Sequence, residues 1–168
     1  PAVTKRGGMV NKFTGDGMLA VFGVPLEQDS QAEAQAAIEA AIEINAGLEQ
    51  LNKELLQDKE PEMRIRMGIH SGEALVGSMG STERIEYAVI GDSVNCASRL
   101  ESLDKHRHEG LLRVLISSTT IDLLAADFRS GLELEFWGPV QVKGREQPLS
   151  VSELRMDNAQ GAAEATQP

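Results

Sequence analysis

Two side chains suited to phosphate binding, Asn95 and Arg99, lie four residues apart in a predicted helix. Residues at this spacing share one face of a helix. The helix follows a strand-like run over 87–90, and Asp92 and Ser93 at its start are residue types that cap a free helix N-terminus. A neutral hydrogen-bonding group and a fixed cation at such a place suit a polyanionic ligand. Taken alone, the pair is more typical of an ordinary helix surface.

A second candidate, Asp16, lies in a predicted β-hairpin near the start of the chain. Residues 9–13 and 18–22 are β-rich runs joined through a short Asp-Gly turn, which is a hairpin signal. The turn places the Asp16 carboxylate at its tip, where it is either ordinary turn chemistry or a metal ligand. Lys12 would share a strand face with Asp16 only if strand geometry continues into the turn, and Phe13 would then point into the core.

The composition is that of an acidic globular domain. The chain has 168 residues, of which 25% are charged and 41% hydrophobic. Its net charge of −10 argues against non-specific binding to nucleic acid or anionic membranes, although a local cluster of Lys and Arg can still hold a phosphate ligand. An acidic protein that holds phosphates often recruits a divalent metal. No apolar run approaches a membrane span, and the single cysteine, Cys96, fits a reducing compartment, so we expect a cytoplasmic domain.

The predicted elements describe an α+β fold in which helices flank a mostly antiparallel sheet. After the first hairpin, apolar residues recur at helical spacing over 31–59. The other predictions, in chain order, are a second hairpin formed by 63–70 and 74–79, the helix from Asp92 to about Leu103, a strand over 113–116, a short helix over 119–124 capped by Ser117 and Ser118, a strand over 128–137 that Gly138-Pro139 breaks, and a final strand over 149–154. We predict one domain over 1–155 and a disordered tail over 156–168.

Four glycines, Gly68, Gly72, Gly77 and Gly80, fall in and between the strand-like runs of the second predicted hairpin. In strands, glycine indicates close approach of another backbone segment or a bulge. These glycines do not form the pattern of a phosphate-binding loop. We therefore expect them to serve packing rather than phosphate binding.

Four segments of the chain together resemble the catalytic domain of class III nucleotidyl cyclases. They read NKFTGDGMLAVFG, RIRMGIHSGEALVGSMG, IEYAVIGDSVNCASRLES and VKGREQPLSVSEL. The match covers nearly the whole chain, and four motifs in order make it specific. The resemblance implies a ferredoxin-like domain that dimerises head to tail, with active sites at the dimer interface built from both chains.

The resemblance also implies roles for individual residues. Lys12 corresponds to the lysine that reads the purine, Asn95 to the asparagine that orients the ribose, and Arg99 to the arginine that stabilises the transition-state phosphoryl group. Lys143 corresponds to a lysine that contacts the terminal phosphates, and Arg84 is a further candidate for phosphate contact. These roles suit a reaction in which the ribose 3′-hydroxyl attacks the α-phosphate, because charge then builds on phosphoryl oxygens.

For the metal site, the resemblance implies two Mg²⁺ or Mn²⁺ ions and two aspartates. Asp16 corresponds to the second aspartate. The family's first aspartate lies on an earlier strand, which two helices separate from the hairpin, and no aspartate precedes Asp16 here. We expect the natural protein to contain this strand, its aspartate and both helices, so that the present sequence is truncated at its N-terminus.

Base specificity depends on Lys12 and Ala88. Ala88 lies where adenylyl cyclases usually carry Asp or Thr, and alanine offers no side-chain acceptor for the adenine amino group. Lys12 still favours ATP, because an ammonium can donate to the unprotonated N1 of adenine but not to the protonated N1 of guanine. The expected function is therefore an adenylyl cyclase domain, with a guanylyl or dual-specificity cyclase and a non-catalytic regulatory or dimerisation module as alternatives. The expected partners are ATP, a second copy and fused upstream sensory or membrane domains, without nucleic acid.

Overall fold

The computed structural model describes residues 1–25, 29–81, 84–107, 110–141 and 147–156, with the backbone alone for 79–81 and 84–87. Eight strands and five helices occur in these residues. In chain order they are α1 (Ala2–Lys5), β1 (Met9–Thr14), β2 (Gly17–Val21), α2 (Ser30–Gln57), β3 (Ile65–Ile69), β4 (Leu75–Ser81), β5 (Arg84–Ile90), α3 (Asp92–Ser102), β6 (Leu112–Ser117), α4 (Ser118–Ile121), α5 (Ala126–Ser130), β7 (Leu134–Val140) and β8 (Leu149–Leu154).

The central sheet has the strand order β3-β6-β8-β7. β3 runs parallel to β6, whereas the β6–β8 and β7–β8 pairs are antiparallel. Two further antiparallel hairpins, β1–β2 and β4–β5, form separate two-stranded sheets. This architecture confirms the predicted α+β fold with a mostly antiparallel sheet and flanking helices.

Strand β6 carries the core, because all six of its residues are buried. Val114 and Ile116 pack in one apolar cluster with α2, where Ile38 and Leu48 are buried. Leu115, on the other face of the strand, packs in a second cluster with α3. Alternate residues of a strand point to opposite faces, so the two long helices cover the two faces of the sheet.

Helix α2 begins one residue before its predicted start, and Asp29 caps it by accepting a hydrogen bond of 3.0 Å from the Gln31 backbone N–H. The predicted apolar stripe faces the sheet at Ile38 and Leu48, which are almost fully buried. This helix was predictable because its periodicity is strong and local. Among the described residues, no helix has the length and apolar character that crossing a bilayer requires.

The predicted hairpin of 63–70 with 74–79 is wrong. β3 pairs in parallel with β6, and β4 pairs with β5 over seven register positions. A parallel pair joins strands that are distant in sequence, so the local turn signal at Ser71-Gly72 suggested a hairpin that does not form. The 71–74 stretch passes instead beside the N-terminal end of α3.

The predicted strand over 128–137 is also wrong in its first half. Residues 126–130 form α5, and the strand begins at Leu134. Gly138-Pro139 does not break β7, because the strand continues to Val140 with a register irregularity between Phe136 and Gly138. β7 is an edge strand, where a proline without an N–H is tolerated. Of the predicted tail over 156–168, only Met156 is among the described residues.

Candidate active site

Helix α3 carries the two side chains singled out for phosphate chemistry. Asn95 is exposed and Arg99 is half-buried. The Nη1 atom of Arg99 is buried and makes no hydrogen bond to any residue that the structure describes. A buried donor without a partner costs free energy, and such a group in a native protein calls for an explanation. An acceptor supplied by a bound ligand would satisfy it.

A side-chain hydrogen bond anchors the N-terminal end of α3 to a neighbouring segment, but no side chain among the described residues caps the helix. Gly91 is the N-cap residue, and within the described part of the chain it receives no side-chain cap. The Ser93 hydroxyl instead donates a hydrogen bond of 2.6 Å to the Glu73 carbonyl oxygen. The predicted capping by Asp92 and Ser93 is therefore wrong, because the neighbouring 73–74 backbone lies close enough to take up the Ser93 hydroxyl.

The middle of α3 lies directly on β3 at Gly68. A Cβ atom at Gly68 would overlap the Ala97 carbonyl oxygen and would lie 2.5 Å from the Glu101 backbone nitrogen and 2.8 Å from the Leu100 Cβ. Cys96 and Leu100 are almost completely buried on the same helix. The predicted packing role of Gly68 is confirmed, whereas a Cβ at Gly77 would meet nothing within 4 Å.

The C-terminal end of α3 is held by Arg113 of β6, which is 1% exposed. Its guanidinium donates four hydrogen bonds to main-chain carbonyl oxygens at the end of the helix and in the loop that follows. The distances are 3.0 Å to Glu101, 2.6 Å to Leu103, 2.6 Å to Asp104 and 2.6 Å to Arg107. The last carbonyls of a helix have no partners within the helix, so Arg113 satisfies groups that would otherwise be open.

Trp137 of β7 lies beside this guanidinium. Its ring centroid is 4.1 Å from the Arg107 guanidinium carbon and 5.6 Å from that of Arg113. Its indole N–H donates a hydrogen bond of 2.9 Å to Glu153, which is 4% exposed. Arg155 also donates to Glu153, at 3.1 Å. We call Arg107, Arg113, Trp137, Glu153 and Arg155 the arginine–tryptophan cluster.

Burial dominates the electrostatics of this cluster. It lowers the pKa of the Arg113 guanidinium, and the nearby positive charge of Arg66 lowers it further. Burial likewise raises the pKa of the Glu153 carboxyl, against the charge of Arg155 and the hydrogen bond from Trp137. The cluster therefore holds charged groups at a cost in desolvation.

Glu153→Gln is expected to reduce the pH dependence of stability. The folded state raises the Glu153 pKa above its ordinary value of 4.5, so its contribution is present at low pH and is lost as pH rises from that value through the folded pKa. The stability of the glutamine variant relative to the parent should therefore increase with pH over this window. Urea unfolding across the window measures it, with Glu133→Gln as the control for removing one exposed negative charge. Parallel stability profiles for Glu153→Gln and the parent would contradict the assignment.

The β1–β2 hairpin presents the other two candidates. Lys12 and Asp16 are both exposed. Asp16 lies in a two-residue turn after Gly15, whose φ of 63° ends the strand geometry, so Asp16 does not continue the face of Lys12. Phe13, expected in the core, is 78% exposed beside its cross-strand partner Met18. β1 also contacts β5, the strand that precedes α3.

The donor set fits a magnesium ion only in part. Mg²⁺ is usually held by one or two carboxylates together with substrate phosphates. Asp16 offers an exposed carboxylate of the right chemistry, but within the described residues no three His, Cys, Asp or Glu side chains are grouped as a metal site. A metal held by Asp16 would therefore need oxygens from a nucleotide and from residues outside this set.

The structure describes the three remaining candidates to different extents. Ala88 is half-buried in β5, opposite Gly77 of β4. The side chain of Arg84 and the whole of Lys143 lie outside the described residues. The sequence did not single out Arg113 or Trp137. A charged residue at the start of the apolar run 113–116 was the one available signal for Arg113.

Comparisons with known proteins identify the family of this domain. The Adenylate and Guanylate cyclase catalytic domain matches residues 4–152. "Adenylate cyclase 1" of Rhizobium meliloti (strain 1021) is 33% identical over 152 residues, which are 90% of this chain and 22% of that protein. The chain thus spans less than a quarter of this relative's length.

Two solved structures are similar in fold and sequence. The adenylyl cyclase CyaB from P. aeruginosa has a TM-score of 0.79 and 30% identity, over 94% of this chain and 76% of that one. The guanylyl cyclase Cya2 has a TM-score of 0.71 and 31% identity, over 91% of this chain and 72% of that one. With the domain match covering most of its length, the chain belongs to the adenylate and guanylate cyclase catalytic domain family.

Proposed function

We propose that this chain is the catalytic domain of an adenylate cyclase, which converts ATP to 3′,5′-cyclic AMP and pyrophosphate. The ribose 3′-oxygen forms a bond to the α-phosphorus, the bond to the pyrophosphate oxygen breaks, and the 3′-hydroxyl proton is released. The observation that carries the proposal is the Arg99 guanidinium, held on a fixed helix with a buried N–H that lacks a partner among the described residues. Similarity to the adenylate cyclases of R. meliloti and P. aeruginosa supports the reaction class.

Arg99 and Asn95, both on α3, have different roles in the proposed reaction. Arg99 supplies a cation whose hydrogen bonds strengthen as charge builds on the phosphoryl oxygens, which favours the transition state over the bound substrate. To Asn95, one turn earlier and exposed, we assign the hydrogen bonds that hold the ribose. Orientation of the 3′-oxygen towards the α-phosphorus is itself a large part of the rate enhancement in such reactions.

Asp16 would hold the divalent metal together with the nucleotide phosphates. Mg²⁺ or Mn²⁺, two ions per site in the full arrangement, would neutralise charge at the phosphates. A site completed by residues of a second copy agrees with the single exposed carboxylate at the hairpin turn, and we propose a head-to-tail homodimer. Fusion to further domains agrees with the greater length of the relative from R. meliloti.

The base preference is assigned to Lys12, which favours adenine through a hydrogen bond to N1. A guanylyl or dual-specificity cyclase is the second candidate, because Ala88 offers no side-chain acceptor for the adenine amino group and Cya2, at 31% identity, is a guanylyl cyclase. A non-catalytic module is the third. It does not account for the conjunction of Asp16, Asn95 and Arg99 in one chain.

Product analysis tests the reaction. The full-length protein that contains this chain is incubated with ATP and Mn²⁺, and nucleotide products and pyrophosphate are quantified. We expect cyclic AMP and pyrophosphate in equal amounts. Hydrolysis to ADP or AMP would overturn the proposal in favour of a different enzyme, and nucleotide binding without any product would overturn it and leave the non-catalytic module.

Lys12→Glu is expected to shift the base preference from ATP towards GTP. The substitution replaces a donor to adenine N1 with an acceptor for the protonated N1 of guanine, and a hydrogen bond of this charged type is worth about tenfold or more in discrimination. The ratio of kcat/KM for the two nucleotides measures it. Lys53→Glu makes the same charge change on an exposed part of α2 and should leave the ratio unaltered. An unchanged ratio in Lys12→Glu would remove Lys12 from the base site.

A further inference from the structure

The arginine–tryptophan cluster connects the core of the sheet to the helix that carries Arg99. Arg113 donates to the carbonyls of Glu101 and Leu103, which lie two and four residues beyond Arg99. Its two other acceptors belong to the loop that leaves the helix. One side chain therefore fixes both the last turn of α3 and the path of the chain after it.

The guanidinium itself has little freedom to move. Arg113 is 1% exposed, and two of its nitrogens together make four hydrogen bonds. Trp137 lies beside it at 5.6 Å and is held in turn by a hydrogen bond to Glu153. The planar fork of an arginine is pre-organised for such multiple contacts in a way that an ammonium is not.

Stability alone does not explain why a buried guanidinium is found at Arg113. Removing a guanidinium from water carries a large penalty, and apolar residues of similar volume often replace buried charged groups without loss of stability. The Nε atom of Arg113 is buried and lacks a partner among the described residues, which adds to that penalty. What a guanidinium provides here, and an apolar residue cannot, is a defined position for four main-chain carbonyls.

We propose that Arg113, braced by Trp137, is a positioning residue that fixes the C-terminal end of α3 and thereby places Arg99 for phosphoryl transfer. The inference rests on the proposed function, because it assumes that Arg99 acts on the nucleotide. Arg113 itself is 1% exposed, so its guanidinium is not accessible to a nucleotide. Its effect on catalysis is exerted through the orientation of α3, where small displacements have large consequences for rate.

Arg113→Met in the full-length protein tests the proposal. Methionine fills the space with a flexible apolar chain but donates no hydrogen bond to the carbonyls. We expect kcat, corrected for the folded fraction, to fall on the order of tenfold to a hundredfold, with KM for ATP changed much less because Lys12 lies on a separate hairpin. Arg113→Lys retains the charge and up to three donors, and should give an intermediate kcat.

Arg155→Met is the matched control within the same cluster. Arg155 pairs with Glu153 of β8 and Glu135 of β7, whereas the four hydrogen bonds of Arg113 go to α3 and the loop that follows it. Its removal should change stability and leave the corrected kcat close to that of the parent. An equal loss of kcat in Arg155→Met and Arg113→Met would overturn the positioning role, because general loosening of the sheet would then explain both.

A double-mutant comparison decides whether Arg113 acts through Arg99. In an Arg99→Ala background, Arg113→Met should cause a clearly smaller loss of kcat than in the parent, since Arg99 is gone and only the effect of α3 on Asn95 remains. The same fold-loss in both backgrounds would overturn the proposal, as would an unchanged kcat in Arg113→Met. If Arg99→Ala alone leaves activity intact, both the role of Arg99 and the positioning role fail together. If only the additivity test fails, the proposed function stands.

If Arg113→Met does not fold, Arg113→Lys takes its place in the same comparisons. Trp137 is the only tryptophan of this chain and reports the cluster directly. In a full-length protein whose other tryptophans are replaced by phenylalanine, 3′-deoxy-ATP, which lacks the attacking hydroxyl and cannot be cyclised, should change Trp137 emission in the parent. The change should be lost in Arg113→Lys. Identical responses in the two proteins would contradict a connection between the cluster and the nucleotide site.

Discussion

Arg99→Ala is expected to lower kcat by about 10²–10³-fold, the loss typical when a donor to a developing oxyanion is removed. The stability of the protein should be unchanged or slightly increased. Arg99 lies in the last turn of α3, where a cation interacts favourably with the helix dipole by about 0.3–1 kcal/mol. Against this, the variant no longer buries a guanidinium nitrogen that lacks a partner among the described residues.

A large loss of kcat without a loss of stability distinguishes a functional arginine from an ordinary helix residue. Steady-state kinetics and urea unfolding are measured on the same preparation, with Arg64→Ala as the control, since Arg64 is 55% exposed at its side chain and pairs only with Glu62 among the partners described. A residue that merely complements the helix dipole would lose stability and keep its kcat. Near-normal turnover in Arg99→Ala would remove this residue from the catalytic role.

The second large effect is expected for Gly68→Ala. The added methyl group would collide with the Ala97 carbonyl oxygen and lie 2.5 Å from the Glu101 backbone nitrogen, and main chain cannot give way as a flexible side chain can. Helix α3 must therefore move away from β3. We expect a loss of stability of about 1–3 kcal/mol from overpacking, and a fall in kcat of about a hundredfold in the folded protein from the displaced Arg99.

Gly47→Ala provides the matched control for Gly68→Ala. Gly47 is an exposed residue of α2, and a Cβ there would meet nothing within 4 Å. The same substitution should stabilise this helix by about 1 kcal/mol without affecting kcat. Denaturant midpoints and kcat for the two variants test the contrast. Wild-type kcat in a folded Gly68→Ala protein would show that catalysis does not depend on the exact packing position of α3 against β3.

The features that could be predicted from the sequence are those with a local signature. The helical spacing from Ala34 to Leu55 predicted α2, and the Asp-Gly turn predicted the β1–β2 hairpin with Asp16 at its tip. Asn95 and Arg99 were predicted to lie on one helix, as they do. Each of these depends on residues within one or two turns of each other, where propensity and periodicity decide the structure.

The features that could not be predicted depend on distant residues. The parallel pairing of β3 with β6 joins segments more than forty residues apart, as in Ile65 with Leu112, and no turn signal marks it. The partners of Arg113 are main-chain carbonyls, which every residue has, so their convergence leaves no trace in the sequence. The alternation of Leu132 and Leu134 suggested an early start for β7, but α5 occupies residues up to Ser130.

The exposure of Phe13 is a further feature that the local sequence pattern could not predict. Strand alternation correctly separates Phe13 from Lys12, but it does not reveal which elements cover each face of a hairpin. The β1–β2 hairpin forms a separate two-stranded sheet in this chain, which leaves Phe13 and Met18 uncovered at its tip. Burial is a property of the whole assembly of elements, and the local pattern alone could not predict it.

The most direct test of the adenylate cyclase proposal is a competition between the two nucleotides. The full-length protein is incubated with equal concentrations of ATP and GTP in the presence of Mn²⁺, and cyclic AMP and cyclic GMP are quantified in parallel with the Arg99→Ala variant. We predict mainly cyclic AMP, which Arg99→Ala all but abolishes. Mainly cyclic GMP would contradict the role of Lys12, and the absence of both cyclic products from a folded protein would contradict catalysis itself.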